Sequence, residues 1–374
     1  MKSASATHER ALRPVVCAFA AALALLVAAC GGGGQPSSSG RRHALSAARQ
    51  TSTVARPRAT RPSRRKPASR PPFRVGSVTF ELREPSSPAI ADTHMSNRVS
   101  VRLLPTVVRY PAVGRPNGQD NPGATPARAA GPFPLLVFSQ GYAMPPRAYS
   151  WLLDAWTSAG YVVAAPTYPH TDPASPDGLA EADIVNHPAD LRFVIATLRR
   201  RNVSSRGPLT HLINPAGVAV IGQSDGGDVS LAVAADSCCR DRLVKAAVIL
   251  SGAELEAFGG SYYSAGSVPL LVVQGTADAI NRPGCSIELY DQAPRPKYYL
   301  ELIGAPHLAP YVDPGPDRTL VGRVVVDFLR RYLEDRSSAS GTLRRDGNAP
   351  PVASLTTHLT APGAEGYCPG APAP

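Results

Sequence analysis

The chain has 374 residues, of which 43% are hydrophobic and 18% are charged, so it is long enough to bury a substantial core. Its formal net charge of +11 is unevenly distributed: residues 1–30 carry +2, residues 31–74 carry +11, and residues 75–374 carry −2. Nucleic-acid binding needs a basic stripe on a folded face. Because the basic excess lies outside the part that can fold, the composition argues against a nucleic-acid-binding protein.

The first 29 residues have the pattern of an export signal. Three basic residues precede an uncharged run, Val15 to Ala29, which is shorter than the roughly 20 apolar residues that a membrane-spanning helix needs. The run ends in Val-Ala-Ala-Cys, and four glycines follow Cys30. This motif resembles the lipobox of bacterial lipoproteins, which implies a mature chain that begins at a lipidated Cys30 on the outer face of the cell membrane. An ordinary cleaved signal and an uncleaved anchor are the alternatives.

Residues 30–74 are predicted to form the lipidated cysteine and a disordered basic tether. Residues 31–74 contain ten Arg, one Lys and no acidic residue, with Ser, Pro, Ala and Thr filling most of the rest. Such a composition cannot bury a core. As a flexible coil the tether would span about 35 to 40 Å, and its charge would favour anionic lipid or wall polymer. We therefore expect a monomer that meets the membrane through Cys30 and this tether.

Residues 75–336 alternate between short β-type runs and helical stretches, which is typical of an α/β domain. The first two strands are expected to be antiparallel, residues 111–132 a long loop, and the Pro/Gly-rich residues 337–374 a C-terminal tail. The predicted strands are 76–82, 99–110, 135–138, 161–165, 218–221, 244–250, 270–274 and 298–303, and the predicted helices are 147–158, 190–200, 225–236 and 319–333.

A G-x-S-x-G motif follows the strand 218–221 directly and precedes a helix. Ser224 is its central residue, between Gly222 and Gly226. In this setting the motif predicts a nucleophile elbow, a sharp turn that raises the serine hydroxyl above the sheet edge. The hydroxyl needs a base to take its proton and an acid to orient that base.

Candidates for both partners follow two later strands in the order that α/β-hydrolases use. Asp278 ends the Gly-Thr-Ala-Asp segment after strand 270–274, and His307 ends the Gly-Ala-Pro-His segment after strand 298–303. Asp278 could instead cap the next helix, and His307 could be a loop residue without a role. The spacing nevertheless favours a triad of Ser224 as nucleophile, His307 as base and Asp278 as orienting acid.

An oxyanion intermediate needs two fixed N–H donors. One is expected to be the backbone N–H of Asp225, which follows the nucleophile. The other is expected from the backbone of Tyr142, in the loop Ser139–Ala143 after strand 135–138, where Gly141 permits a tight turn. No metal or cofactor is needed for this chemistry.

Four segments together resemble the dienelactone-hydrolase-like branch of bacterial α/β-hydrolases: residues 138–163, the elbow, and the segments that end at Asp278 and His307. This branch includes platelet-activating-factor acetylhydrolase-like esterases and, more distantly, cutinases and polyester hydrolases. The resemblance implies an α/β-hydrolase fold, with a mostly parallel eight-stranded sheet flanked by helices. It also implies metal-free hydrolysis of carboxylic esters.

The chain departs from these relatives in three places. Gln140 stands where many have His, and Asp225 stands where many have Met, Leu or Phe. A carboxylate beside the developing oxyanion would repel it, so Asp225 is expected to turn away or to pair with a basic group.

Polyester hydrolases hold an aromatic polymer between an aromatic residue in the oxyanion loop and a Trp after the strand that follows the nucleophile helix. Tyr142 fits the first position, whereas residues 251–254 offer no aromatic ring.

These features predict a secreted, membrane-tethered serine esterase or lipase that acts on a small-molecule or lipid ester. Two other functions remain open at this point. An acyltransferase acting on cell-envelope lipids would use the same triad, and a non-catalytic binding lipoprotein would share the same location.

Four cysteines remain for the mature domain, and an even number outside the cytoplasm favours disulfides. They lack the paired C-x-x-C spacing and nearby histidines of a zinc site. Because a bond between adjacent cysteines strains its ring, two bridges are predicted, each joining one of the adjacent pair to one of the distant two. The adjacent pair is Cys238 and Cys239, and the distant two are Cys285 and Cys368.

Overall fold

The computed structural model describes residues 72–85, 101–176 and 178–359. All of them belong to one compact unit, Lys66–Pro374. The predicted signal peptide, Cys30 and Cys368 lie outside the described residues. None of the helices in the described part of the chain is long and apolar enough to cross a membrane.

Ten strands in the described residues form one mixed sheet. In chain order they are β1 (Arg74–Glu84), β2 (Arg102–Ala112), β3 (Asp120–Pro122), β4 (Phe133–Ser139), β5 (Val162–Pro166), β6 (Ile213–Gln223), β7 (Val244–Leu250), β8 (Leu270–Gly275), β9 (Lys297–Leu302) and β10 (Ala353–Thr356). Side by side, their order is β10, β9, β8, β7, β6, β4, β5, β2, β1, β3.

The centre of the sheet is parallel. Strands β5, β4, β6, β7, β8 and β9 run in one direction, each hydrogen-bonded to the next. These strands read as nearly continuous apolar runs, and every residue of β4 is buried, because helices cover both faces of a parallel sheet. β1 and β2 pair antiparallel, and β2 joins β5 antiparallel. The prediction of a mostly parallel sheet with an antiparallel start is confirmed.

Helices pack on both faces of this sheet and create two apolar cores. The helices are α1 (Ser150–Ser158), α2 (His187–Asn202), α3 (Asp225–Ala235), α4 (Pro283–Gln292), α5 (Ala309–Val312), α6 (Pro316–Tyr332) and α7 (Ala339–Gly347). Helices α2, α3 and α4 contribute to one core, and α1, α6 and α7 contribute to the other. In α6 the buried residues Leu320, Val324 and Phe328 recur every four positions, which places them on one stripe facing the sheet.

The eight-strand count is wrong at both edges of the sheet. β3 lies inside the segment predicted as a loop and pairs parallel with β1 over three residues. β10 lies in the predicted tail and pairs antiparallel with β9, so residues 337–356 extend the domain rather than trail from it. α7 packs against α6 and buries Leu343. Both strands are too short to show a periodic pattern, and only their neighbours in the sheet stabilise them. At the other end, β1 begins at Arg74, one residue before the predicted boundary.

The predicted cysteine pairing is also wrong. Cys238 and Cys239 are bonded to each other. Asp236 organises the turn that carries them: its carboxylate accepts the Cys238 N–H (3.0 Å) and its carbonyl accepts the Cys239 N–H (3.2 Å). A distant segment also holds this turn, because the Ser237 N–H donates to the Ser261 carbonyl (3.2 Å) and the Ser261 N–H donates to Ser237 Oγ (2.9 Å). Cys285, near the start of α4, is disulfide-bonded to neither of them.

A buried ion-pair cluster ties β2 to α2 and to the turn before it. The Arg102 guanidinium donates to both carboxylate oxygens of Asp183 (2.9 and 2.7 Å) and to both of Asp190 (2.7 to 3.2 Å). Burial would raise the pKa of Asp183, but hydrogen bonds from His187 and Arg102 lower it well below its usual range. Burial and the neighbouring Asp190 raise the pKa of Glu84 to about 8, so Glu84 keeps its proton at neutral pH.

Arg102→Met is expected to lower the free energy of unfolding by about 3 to 5 kcal/mol, because the buried Asp190 and the half-buried Asp183 lose the arginine that pairs with both of them. Chemical denaturation measures the difference. Arg323→Met is the control: Arg323 pairs with Asp346 but is 51% exposed, so its loss should cost no more than about 1 kcal/mol. Equal effects of the two variants would contradict a stabilising role for the cluster.

Candidate active site

Ser224 occupies a strained turn between β6 and α3. Its backbone has φ 54° and ψ −129°, a left-handed conformation that is rare outside glycine and that marks functional sites. Gly222 allows the turn, because a Cβ there would overlap the Gly226 carbonyl. The strand-turn-helix geometry that the motif predicts is therefore present, and the side chain of Ser224 is half-buried rather than enclosed.

Three predicted residues from distant parts of the chain meet at this turn. His307 Nε2 lies 2.9 Å from Ser224 Oγ, and His307 Nδ1 lies 2.8 Å from Asp278 Oδ2. The two contacts use opposite nitrogens of one ring, so the imidazole connects the hydroxyl to the carboxylate. A proton on Nδ1 that is donated to Asp278 leaves the Nε2 lone pair free to face Ser224.

The Asp278 carboxylate is buried and fully engaged. Its Oδ2 atom accepts from Gln274 Nε2 (3.0 Å) as well as facing His307, and its Oδ1 atom accepts the Ile280 N–H (2.9 Å). Helix α4 begins only at Pro283, and no side chain caps it. Asp278 therefore does not cap the next helix.

The predicted oxyanion loop packs against the elbow. Gly141 lies so close to it that an added Cβ would be 3.2 Å from Ser224 Cβ and 2.7 Å from Gln223 Oε1. Close approach, rather than a positive φ, thus requires glycine here. Tyr142, which is half-buried, follows Gly141 in this loop. Asp225 begins α3, so its N–H is among the first four of the helix, which have no intrahelical acceptor.

The Asp225 side chain is buried, and within the described residues it forms no ion pair; the expected pairing with a basic group is not found. Burial, together with the charge of Glu181, raises the pKa of Asp225 to about 6, against the lowering effects of His187, its own backbone N–H and His307. The Asp225 carboxyl group therefore gains its proton at a pH only slightly below neutral.

Three polar residues of the site were not predicted from the sequence: Gln223, Tyr149 and Gln274. Gln223 lies between His307 and Tyr149, and Gln274 supports Asp278. Gln223 is a variable position inside G-x-S-x-G, and Gln274 ends an apolar strand. No spacing rule distinguishes either of them from a surface glutamine, although an amide at the end of a buried strand is a weak signal.

Within the described ranges, no group of three or more His, Cys, Asp or Glu side chains is arranged to hold a metal ion. His307 contacts the Ser224 hydroxyl through Nε2 and the Asp278 carboxylate through Nδ1. The arrangement can transfer a proton between a hydroxyl and an imidazole, which is the requirement for acyl transfer through serine.

Comparisons with known proteins agree with this geometry. The family described as PETase, PET hydrolase-like, matches residues 105–345, which include all three residues that meet at the elbow. No curated protein matches the chain. Among solved structures, a ferulic acid esterase from Streptomyces cinnamoneus is similar, with a TM-score of 0.58 and 20% identity over 78% of this chain and 98% of that one. At that identity the likeness concerns the fold. The chain belongs to the PET hydrolase-like family and is a carboxylic-ester hydrolase of the α/β-hydrolase fold.

Proposed function

We propose that the protein hydrolyses carboxylic esters through an acyl-enzyme on Ser224. His307 takes the Ser224 proton as the hydroxyl oxygen attacks the ester carbonyl, and it then gives that proton to the departing alcohol. Water repeats the sequence on the acyl-enzyme and releases the acid. Asp278 holds the imidazole in the required tautomer and stabilises its protonated form.

The observation that carries this proposal is the continuous contact from Ser224 Oγ through the two ring nitrogens of His307 to Asp278, at 2.9 and 2.8 Å. The strained elbow supports it, since the left-handed backbone presents the hydroxyl and gains nothing for stability. The backbone N–H groups of Tyr142 and Asp225 are the proposed oxyanion donors. A silent binding protein would have no use for this arrangement.

The segment after β7 bears on the size of the substrate, because related polyester hydrolases carry a Trp at this point of the chain. Ser251 is buried, and its hydroxyl is 2.9 Å from the Tyr311 hydroxyl. Ala253 is also buried, and its N–H donates to Asp228 (2.6 Å). Ser251 and Ala253 thus form hydrogen bonds inside the protein, and residues 251–254 include no aromatic ring. Because an aromatic clamp supplies large rigid contact area, its absence should weaken binding of aromatic polymer chains more than of small acyl groups.

We therefore expect efficient turnover of soluble esters with acyl chains of about two to eight carbons and little product from a solid aromatic polyester. A series of p-nitrophenyl esters and a polyester film, each with wild type and Ser224→Ala for background, measures the preference. Polymer turnover per enzyme comparable to butyrate-ester turnover would contradict it.

The same assay separates hydrolysis from transfer. With an added acceptor alcohol, a hydrolase releases free acid in step with p-nitrophenol, whereas an acyltransferase converts a large share of the acyl group to the new ester. We expect free acid to dominate, because the Ser224 side chain is partly open to solvent.

We also propose that the enzyme is exported and tethered to the outer face of the membrane through lipid on Cys30. The lipobox-like motif and the basic residues 31–74 support this location. Metabolic labelling with an alkyne fatty acid should mark the wild type and Cys17→Ala but not Cys30→Ala. Label retained by Cys30→Ala would place the lipid elsewhere, and an unlabelled wild type would exclude the anchor.

A further inference from the structure

Gln223 is buried directly beneath the residues that meet at the elbow, and both ends of its amide are engaged. Its Nε2 atom lies 3.2 Å from His307 Nε2 and 3.3 Å from the His307 carbonyl oxygen. Its Oε1 atom accepts the Tyr149 hydroxyl at 2.7 Å. One side chain thus connects the nucleophile turn, the histidine loop and the segment after the oxyanion loop.

The direction of the amide is determined by its surroundings. The Tyr149 hydroxyl accepts the Gly141 N–H (3.4 Å), so its single proton is left for Gln223 Oε1. Burial raises the pKa of Tyr149, so that proton stays in place. With Oε1 occupied by the Tyr149 hydroxyl, the Gln223 NH₂ group must face His307.

An NH₂ group facing His307 Nε2 distinguishes between the forms of the ring. It donates to Nε2 only when that nitrogen carries its single lone pair, which it then shares with the Ser224 hydroxyl, and this is the tautomer that has its proton on Nδ1. A ring with its proton on Nε2 would direct that N–H at the Gln223 NH₂ group, which cannot accept it. The second amide hydrogen binds the His307 carbonyl and holds the loop against the elbow.

We propose that Gln223 is a positioning residue that holds His307 in the base-competent tautomer and, through Tyr149, fixes the oxyanion loop to the elbow. It acts through His307 and, by way of Tyr149, through Gly141. This inference rests on the proposed function, because it needs His307 to serve as the base for Ser224.

Two substitutions separate the two ends of the amide. Gln223→Met keeps the length and removes all three contacts of the amide, two to His307 and one to Tyr149. Gln223→Glu keeps an acceptor for Tyr149 but replaces the donor that faces His307 with a carboxylate, which favours the protonated ring. The ionisable groups facing His307 are otherwise Asp278 and, at longer range, Asp225. Tyr299→Phe is the matched control, since it removes a buried bond to Ser286 (2.8 Å) outside the site.

For Gln223→Met we expect kcat on p-nitrophenyl butyrate to fall about 10- to 100-fold with KM within about threefold, together with slower fluorophosphonate labelling of Ser224. For Gln223→Glu the acid limb of the kcat/KM profile should move to higher pH by about one unit. Tyr299→Phe should leave kcat and the profile unchanged while changing the melting temperature by a similar amount to Gln223→Met.

Three outcomes would overturn the proposal: a kcat within twofold of wild type for Gln223→Met, an unmoved acid limb for Gln223→Glu, or an equal loss of kcat in Tyr299→Phe. If Gln223→Met does not fold, the near-isosteric Gln223→Glu decides alone through its pH profile. Ser224→Ala in the same assays tells the two proposals apart: its failure to abolish labelling would refute the nucleophile assignment, whatever the Gln223 variants do.

Discussion

Ser224→Ala is expected to lower kcat for ester hydrolysis by roughly five to six orders of magnitude, because no other group can form the acyl-enzyme. Thermal unfolding should stay nearly unchanged. The side chain is only half-buried, and the sole bond recorded for its hydroxyl within the described residues joins it to His307. Steady-state kinetics, calorimetry and labelling with a fluorophosphonate probe measure these effects.

Ser230→Ala is the control for that experiment. Ser230 lies on the same helix α3 and is fully buried, and its hydroxyl has no hydrogen-bond partner in the described structure. The probe should therefore label Ser230→Ala as it labels the wild type. A probe that still labels Ser224→Ala would refute the assignment of the nucleophile.

Asp278→Asn is expected to lower kcat by about 10⁴-fold while leaving the fold intact. Asparagine has one acceptor where the carboxylate uses two. Its oxygen can satisfy the Ile280 N–H, but its NH₂ group then faces His307 Nδ1 and Gln274 Nε2, both of which need an acceptor. The ring would respond by placing its proton on Nε2, where it cannot take the Ser224 proton.

Asp241→Asn provides the matched comparison for this substitution. Asp241 Oδ1 accepts the Leu243 N–H at 2.9 Å, the same two-residue turn that Asp278 makes with Ile280, but outside the site. Its kcat should stay within about twofold of wild type. A loss of less than tenfold in Asp278→Asn would show that the acid has another role or that a different carboxylate serves His307.

The triad candidates could be predicted from the sequence because each depends on local geometry. Ser224 lies between an apolar strand and a helix, and the turn that joins them requires small residues within two positions. Asp278 and His307 each follow a strand of a parallel sheet, and such strands end at one edge. Chain order and strand ends therefore predicted that the three side chains lie close together, and in the structure His307 lies 2.8 Å from Asp278 and 2.9 Å from Ser224.

The polar contacts of Gln223 and of the Arg102 cluster could not be predicted in this way. Gln223 meets Tyr149 across 74 residues, and Arg102 meets Asp183 and Asp190 across 81 and 88. Any of these side chains could be exposed as far as local pattern shows. Only packing around the sheet buries them, and burial then requires each polar group to find a partner.

What the sequence by itself determined is the order of eight of the ten strands and four of the seven helices in the described residues, the elbow and the three residues that meet there, because apolar periodicity and turn chemistry act over a few residues. The tertiary structure alone decided the outer strands β3 and β10, the bond between Cys238 and Cys239, and the environment of Asp225. These features depend on contacts between segments far apart in the chain. Their stability comes from neighbours that no local pattern identifies.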